Sequence, residues 1–157
     1  MRKRIMTGVP HGSADLAQNW LDLETLAQVE VTSEDPAHPV ESALAPGAAG
    51  GWRAAEPGKQ TVRLIFDRPQ SLNRVLLIFE EREAPRTQEF VLRWSSDGGK
   101  SYRDIVRQQW NFSPPGTTRE VEDYHLGLSD VTALELEIVP DQGRGEAHAS
   151  LEQLRLA

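Results

Sequence analysis

The amino-acid sequence predicts an all-β fold, an antiparallel sandwich of about eight short strands, and three observations carry this prediction. Apolar and polar side chains alternate in several separate runs, the period-2 pattern of strands that bury one face. The 157 residues include 12 Gly and 10 Pro, so turns are frequent. The runs recur about every 8 to 16 residues, which is typical of a sandwich or jelly roll.

The clearest element is a β-hairpin in residues 86–102. Phe90, Leu92 and Trp94 alternate with polar neighbours, so these three side chains are expected to face the core. The Asp-Gly-Gly sequence at 97–99 follows directly and supplies residues that tolerate a positive φ. The pattern predicts a strand, a tight turn and the start of the next strand.

The same alternation predicts the other strands. The run at 75–79 is apolar on both sides, which indicates a central strand covered on both faces. In chain order the predicted strands outside the first hairpin strand lie at residues 27–32, 52–55, 62–66, 75–79, 105–110, 124–128, 134–138 and 151–156.

The remaining segments are predicted to be irregular. Residues 1–14 are expected to be a flexible N-terminal tail, and residues 15–157 have the length of a single domain. Residues 13–26 fit either a short helix or an extended lead-in, and the sequence does not separate the two. Residues 34–51 hold several Pro and Gly residues and predict a long loop with one helical turn at 40–44.

Composition excludes several classes of function. The net charge of -7 disfavours a nucleic-acid partner, because binding to phosphates needs a basic patch. No apolar run approaches the roughly 20 residues of a membrane span. The chain has no Cys, and no apolar stretch of a secretory signal follows the basic residues 2–4, so a cytoplasmic protein is expected.

No catalytic motif is present in the sequence. Ser33 and Ser96 lack the Gly-x-Ser-x-Gly context of a nucleophile, and the glycines at 47–51 lack the Lys-Ser or Lys-Thr of a phosphate loop. The carboxylates at 80–83 are neighbours on a loop, which does not place two of them across a cleft. The sequence therefore predicts a protein that is not an enzyme.

Four stretches, in this order, resemble the discoidin or coagulation-factor type C family of galactose-binding-like jelly rolls. They are Leu-Ala-Gln-Val-Glu-Val-Thr-Ser-Glu at 26–34, Trp52 after the first long loop, the strand and Ser-x-Asp-Gly turn at 90–98, and the closing strand at 149–156. The resemblance as a whole extends over roughly residues 23–157. The resemblance implies a discoidin-like jelly roll that binds a ligand, most often a carbohydrate, with the loops at one end.

The chain departs from the family pattern at two places. The disulfide that commonly joins the first and last strands is absent. The Asp-Gly that often follows the first loop's helical turn is replaced by Ala-Pro-Gly at 45–47, which removes an acidic ligand of a family-like calcium site. No cofactor or metal is therefore expected, although Glu34, Asp35 or carbonyl groups remain alternative calcium ligands.

The resemblance also implies that the strand at 27–32 pairs with the one at 149–156. In that arrangement four connections gather at one end of the sandwich, and the turn at 95–101 lies at the other end. The connections at the predicted ligand end are residues 34–52, 81–87, 110–118 and 141–148.

Five residues in these loops are candidate ligand-binding residues: His38, Trp52, Arg86, Trp110 and His148. The two Trp rings would form an aromatic platform for a sugar, and their alternative role is core packing. The two His side chains would bind hydroxyl groups, and their alternative role is an ordinary exposed surface. Arg86 offers planar hydrogen-bond donors.

The sequence thus predicts a non-catalytic module that binds carbohydrate at one end of a β-sandwich. The alternative is an intracellular module that binds a protein partner and no sugar, which the missing Cys residues and the missing signal also favour.

Overall fold

The computed structural model describes residues 19–157 and confirms the predicted all-β sandwich. The strands are antiparallel throughout. They are β1 (Ala27–Val31), β2 (Trp52–Pro57), β3 (Gln60–Glu80), β4 (Arg86–Ser95), β5 (Arg103–Phe112), β6 (Arg119–Val139), β7 (His148–Leu151) and β8 (Gln153–Leu156), with two short helices, α1 (Leu23–Leu26) and α2 (Glu41–Leu44). In this part of the chain no helix has the length and apolarity needed to cross a membrane.

The structure tests only part of the predictions that concern the N-terminal region. The tail predicted at 1–14 and the start of segment 13–26 lie outside the described residues. The end of that segment is α1, and the helical turn predicted at 40–44 is confirmed by α2.

The architecture is built on one long antiparallel ribbon, formed by β3 and β6. Each strand has 21 residues, and the two pair from Gln60 with Ile138 at one end of the ladder to Glu80 with Arg119 at the other. The register shifts between Ile65 and Arg74, where the ribbon bends. The prediction of two separate strands in each of these segments was wrong, because pairing with the partner strand continues across the bend.

The bend divides the ribbon into two halves that belong to two layers. The first half of β3 and the second half of β6 lie in a five-stranded sheet of order β1-β3-β6-β4-β5. The second half of β3 pairs with β8 on its other side, which makes a three-stranded layer. β2 and β7 form a separate two-stranded pair.

The predicted pairing of the first and last strands is wrong. β1 pairs with the first half of β3, with Ala27 opposite Phe66, whereas β8 pairs with its second half, with Val75 opposite Leu156. β3 therefore pairs with both strands, with β1 in the five-stranded sheet and with β8 in the three-stranded layer. Contact between the opening and closing segments is made just before α1, where the Leu21 amide donates to the Leu156 carbonyl oxygen at 2.8 Å.

The core lies between these layers. Phe79 from the three-stranded layer stacks on Phe90 from the five-stranded sheet, with ring centroids 5.3 Å apart. Val75–Phe79 is buried along its whole length, as its two apolar sides predicted. Trp94, predicted to face the core, packs against it and is half-buried.

The turn between β4 and β5 confirms the predicted hairpin. Gly98 and Gly99 have φ values of 77° and 90°, a region that side chains with a Cβ rarely adopt. The Asp97 carboxylate accepts hydrogen bonds from the Ser101 and Ser95 hydroxyls at 2.5 and 2.6 Å, and these bonds hold the pKa of Asp97 far below its usual range.

A row of charged side chains crosses the outer face of the five-stranded sheet. Its members alternate in sign from β1 to β5: Glu30, Arg63, Glu135, Arg93 and Asp104. Glu135 is the central member and is only 8% exposed. It accepts from Arg63 at 2.7 Å and from Arg93 at 3.3 Å, and the first of these bonds raises the pKa of Arg63.

We expect Glu135→Ala to lower the free energy of unfolding by about 1 to 2 kcal/mol, because it leaves two arginines without their shared carboxylate. Glu30→Ala is the matched control at the exposed end of the same row, and it should cost about 0.5 kcal/mol or less. Urea denaturation of the two variants measures the difference. Equal values for both would contradict a central role for Glu135.

Candidate functional site

The bend in the ribbon determines which loops lie together. Because β3 and β6 fold back, the start of β3 and its end return to the same side of the molecule. Gln60 at the start pairs with Ile138 next to Val139, which pairs with Glu89 of β4, and only residues 81–85 separate Glu80 at the end of β3 from β4. The connections at 81–85, 113–118 and 140–147 therefore meet at one end. The hairpin turn at 96–102 lies next to the bend, at the opposite end, as predicted.

Two of these loops and the β2–β7 pair enclose a cleft of about 440 Å³, which is within the range of small-molecule sites. Three segments contribute its walls: the loop between β3 and β4, the loop between β6 and β7, and the β2–β7 pair. The lining residues are Arg53, Glu80–Arg86, Asp141, Arg144, Glu146–His148 and Ser150. No aromatic side chain other than the His148 imidazole is among them.

Arg86 holds the walls of the cleft together. Its side chain is 3% exposed, and its guanidinium centre lies 4.7 Å from the centroid of the Phe112 ring. Nε donates to Glu81 at 2.7 Å, and Nη1 donates to the carbonyl oxygen of Pro140 at 2.8 Å and to Gln88 Oε1 at 2.9 Å. One buried cation therefore fixes the start of two loops.

Glu81 stabilises the conformation of the loop between β3 and β4. Its carboxylate accepts from Arg86 and from the backbone amides of Glu83 and Ala84, and its own amide donates to the Thr118 carbonyl oxygen at 2.9 Å. Partial burial opposes ionisation, but the hydrogen bonds from Arg86 and the two amides outweigh it and lower the pKa of Glu81. Glu81 is thus a charged partner for Arg86.

Behind Arg86 lies a buried group of acidic and polar side chains. Gln88 and Glu120 have no exposed surface, and Gln88 Nε2 donates to Glu120 Oε1 at 3.1 Å. Burial, with the neighbouring Glu122 carboxyl, raises the pKa of Glu120 to about 9. Burial also raises the pKa of Tyr124, which lies beside both carboxyls on β6. Glu120 is therefore protonated at neutral pH.

Several groups in the cleft are available to a ligand. Arg53, Arg144, Glu83 and Glu146 are exposed, and their side chains make no hydrogen bond or ion pair with residues 19–157. His148 Nδ1 lies 3.1 Å from the Ala54 carbonyl oxygen, which assigns the proton to that nitrogen and leaves Nε2 as an acceptor. The cleft thus offers positively charged donors, negatively charged acceptors and one neutral acceptor to a ligand.

The structure brings only two of the five predicted ligand residues into the cleft. Arg86 and His148 line it. His38 lies outside it, with Nδ1 3.3 Å from the Gly50 carbonyl oxygen. Trp52 is a core residue, 1% exposed, and its indole Nε1 donates to the Ser33 carbonyl oxygen at 3.1 Å. Trp110 is half-buried on β5 and packs against the core.

The two predicted Trp residues therefore do not form an aromatic platform in one concavity. Trp52 starts β2 with its side chain on the buried face, where its large apolar area packs. Trp110 has its indole nitrogen buried and without a hydrogen-bond partner among the described residues. Their alternative role, core packing, is the one the structure supports.

Sequence reasoning missed Arg53, Arg144 and Glu146, which are three of the four exposed and unpaired charged groups of the cleft. Arg53 lies in a strand beside buried Trp52 and Ala54, and only the outward side of that strand reveals it. Arg144 and Glu146 lie in the loop predicted at 141–148, so their position in a ligand-end loop was the available signal.

No site for a metal ion is apparent among residues 19–157, where no three His, Asp or Glu side chains are grouped to hold one. The alternative calcium ligands are used within the protein. Glu34 Oε1 accepts from the Val40 amide at 2.6 Å, and Asp35 Oδ1 accepts from the Ala37 amide at 3.0 Å.

Comparison with known proteins identifies the fold. No protein-family model and no curated protein matches the sequence. A family 32 carbohydrate-binding module of Clostridium perfringens NanJ, solved with galactose, is similar with a TM-score of 0.63 and 13% identity, over 87% of this chain and 96% of that one.

Two further solved structures are similar to this chain. A pectin-binding carbohydrate-binding module has a TM-score of 0.60 and 16% identity, over 83% of this chain and 89% of that one. Chitosan-binding module 1 of a chitosanase/glucanase from Paenibacillus sp. IK-5 has a TM-score of 0.60 and 16% identity, over 87% and 98%. The chain therefore has the same β-sandwich fold as these modules, in agreement with the fold that the sequence resemblance predicted.

The pKa of Glu120 predicts how stability depends on pH. The folded value of about 9 exceeds the ordinary value of 4.5, so folding favours the protonated form. This stabilisation is complete below about pH 4.5 and is lost as pH rises to about 9, by up to about 1.4 kcal/mol per pH unit.

We expect Glu120→Gln, which keeps an acceptor for Gln88 and cannot ionise, to remove that part of the pH dependence. Urea denaturation of both proteins between pH 5 and pH 9 measures the two slopes. Glu89→Gln, at an ion pair with Arg107, is the control and should keep the native slope between pH 5 and pH 9. Parallel curves for the native protein and Glu120→Gln would contradict the burial of a neutral Glu120.

Proposed function

We propose that this protein is a non-catalytic carbohydrate-binding module and that its ligand binds in the cleft at the loop end of the sandwich. The observation that carries the proposal is the cleft itself, in which exposed guanidinium and carboxylate groups and one half-buried imidazole converge from three segments. The similar folds of modules that bind galactose, pectin and chitosan support it.

The chemistry of the cleft suits a polyhydroxylated ligand. A sugar hydroxyl both donates and accepts, so it can donate to Glu83 or Glu146 and accept from Arg53 or Arg144. His148 adds an acceptor at Nε2 whose orientation is set by the bond at Nδ1. Because these groups have no partner among the described residues, a ligand hydroxyl replaces water at each of them and breaks no internal bond.

The same geometry supports binding without catalysis. The carboxyl group with the strongly raised pKa, Glu120, has no exposed surface and lies behind Arg86 and Gln88. A general acid must come within hydrogen-bond distance of the atom it protonates, and this carboxyl does not reach the cleft. No catalytic step is therefore assigned to the protein.

The absence of a nucleic-acid partner remains part of the proposal, and its support is the net charge of -7. The cytoplasmic location expected from the sequence stays a prediction that cell fractionation would test. A protein partner is the alternative ligand, and the experiment below separates it from a sugar.

The test is a glycan array with the whole protein, including galactose, N-acetylgalactosamine, pectin and chitosan fragments, followed by calorimetry on the sugars retained. We expect Arg53→Ala, Arg144→Ala and His148→Ala each to weaken binding about three- to tenfold, the effect of one or two lost hydrogen bonds. Arg107→Ala, which removes an exposed guanidinium outside the cleft, is the control and should bind normally.

Two outcomes would contradict the proposal. One is an array without any retained sugar, and a lysate pull-down that then recovers one stoichiometric protein would favour the alternative. The other is sugar binding that none of the three cleft variants weakens while the melting temperatures show that all of them fold.

A further inference from the structure

A second depression adjoins the cleft at the same end of the molecule. Its volume is about 430 Å³, close to the 440 Å³ of the cleft, so each is within the range of small-molecule sites. The two share Pro85, Arg86, Asp141 and Arg144 as lining residues. The shared wall makes them neighbouring compartments of one groove, which runs from the β2–β7 pair to the end of β5.

The second depression has its own chemistry. Beyond the shared wall it is lined by three neutral hydrogen-bonding side chains, Thr87, Asn111 and Ser113, together with Phe112 and Gly143. The Thr87 hydroxyl donates to Asn111 Oδ1 at 2.8 Å, which leaves the Asn111 amide nitrogen as the donor for a ligand. The Ser113 hydroxyl has no partner among residues 19–157. These groups match hydroxyl groups of a neutral unit better than a carboxylate or a phosphate.

Both sides of this depression are held by hydrogen bonds that main-chain amides donate. On one side, the Ser113 and Thr117 backbones exchange hydrogen bonds of 2.8 and 3.0 Å and close the turn after β5. On the other, the Gln142 amide donates to the Thr87 carbonyl oxygen at 2.7 Å, and the Gly143 amide donates to Asp141 Oδ1 at 3.0 Å. A preformed groove of this kind loses little entropy when a ligand binds.

We propose that the depression around Thr87, Asn111 and Ser113 is a second subsite, which binds the next unit of an oligosaccharide whose first unit occupies the cleft. This inference rests on the proposed function of the cleft. It assigns the ligand class as a chain of two or more sugar units in which the unit at Asn111 is recognised through its hydroxyl groups.

The test is calorimetry with the whole protein and three probe series of one to four units: galacto-oligosaccharides, chitosan oligosaccharides and oligogalacturonides. For the series that binds, we expect the second unit to increase affinity about five- to tenfold, because it adds one or two neutral hydrogen bonds. Asn111→Ala, alone or with Thr87→Val, should abolish this increase and leave the affinity for the single unit unchanged.

The matched control is Gln109→Ala, which alters an exposed residue of the same strand and face of β5, two positions from Asn111 and outside both depressions. It should retain the increase with chain length. An affinity that is the same for one unit and for longer chains would overturn the second subsite while leaving the proposed function standing. No binding of any probe overturns both, and a gain with length that survives in Asn111→Ala with Thr87→Val overturns the assigned location.

Discussion

The pairing of β3 with β6 across a bend is the constraint on which the rest of the structure depends. The ladder supplies both layers with their central strands, so β1, β4 and β8 each add to an edge that the ribbon provides. A bent ribbon also returns its two ends to one side of the molecule. The loops that form the cleft therefore meet because of the ribbon, whether or not the first and last strands pair.

The second organising element is the balance of charge around Arg86. A buried guanidinium needs a carboxylate partner, and Glu81 supplies it from the loop that Arg86 must hold. Once that charge is balanced, another ionised carboxyl nearby has no cation of its own, and burial keeps Glu120 protonated. The protonated Glu120 then serves as a neutral acceptor for Gln88, which in turn accepts from Arg86. The interior thereby supports the loop walls through one ion pair and the hydrogen bonds behind it.

Local sequence patterns correctly predicted the elements whose conformation depends on neighbouring residues. The alternation at 86–95 and the glycines of the turn were sufficient for the hairpin, because strand period and positive φ are properties of neighbouring residues. The continuous ribbon was not predictable in this way, since a run of polar residues at the bend has the composition of an ordinary turn. Both roles of Trp52 stayed open for a related reason: the side of β2 that is buried depends on its pairing with β7, which lies far away in sequence.

A cleft without an aromatic platform gains its affinity for sugars from different interactions than a cleft in which a sugar stacks on an aromatic ring. Apolar contact with a ring face contributes affinity from a single unit, whereas each neutral hydrogen bond contributes only about 0.5 to 1.5 kcal/mol after water is displaced. With Trp52 in the core and Trp110 packed against it, affinity here has to come from the number of polar contacts and from their rigidity. Arg86 supplies the rigidity, because it fixes both loops before a ligand arrives. The number of contacts grows only with the length of the groove, so the end of β5 matters to recognition as much as the cleft does.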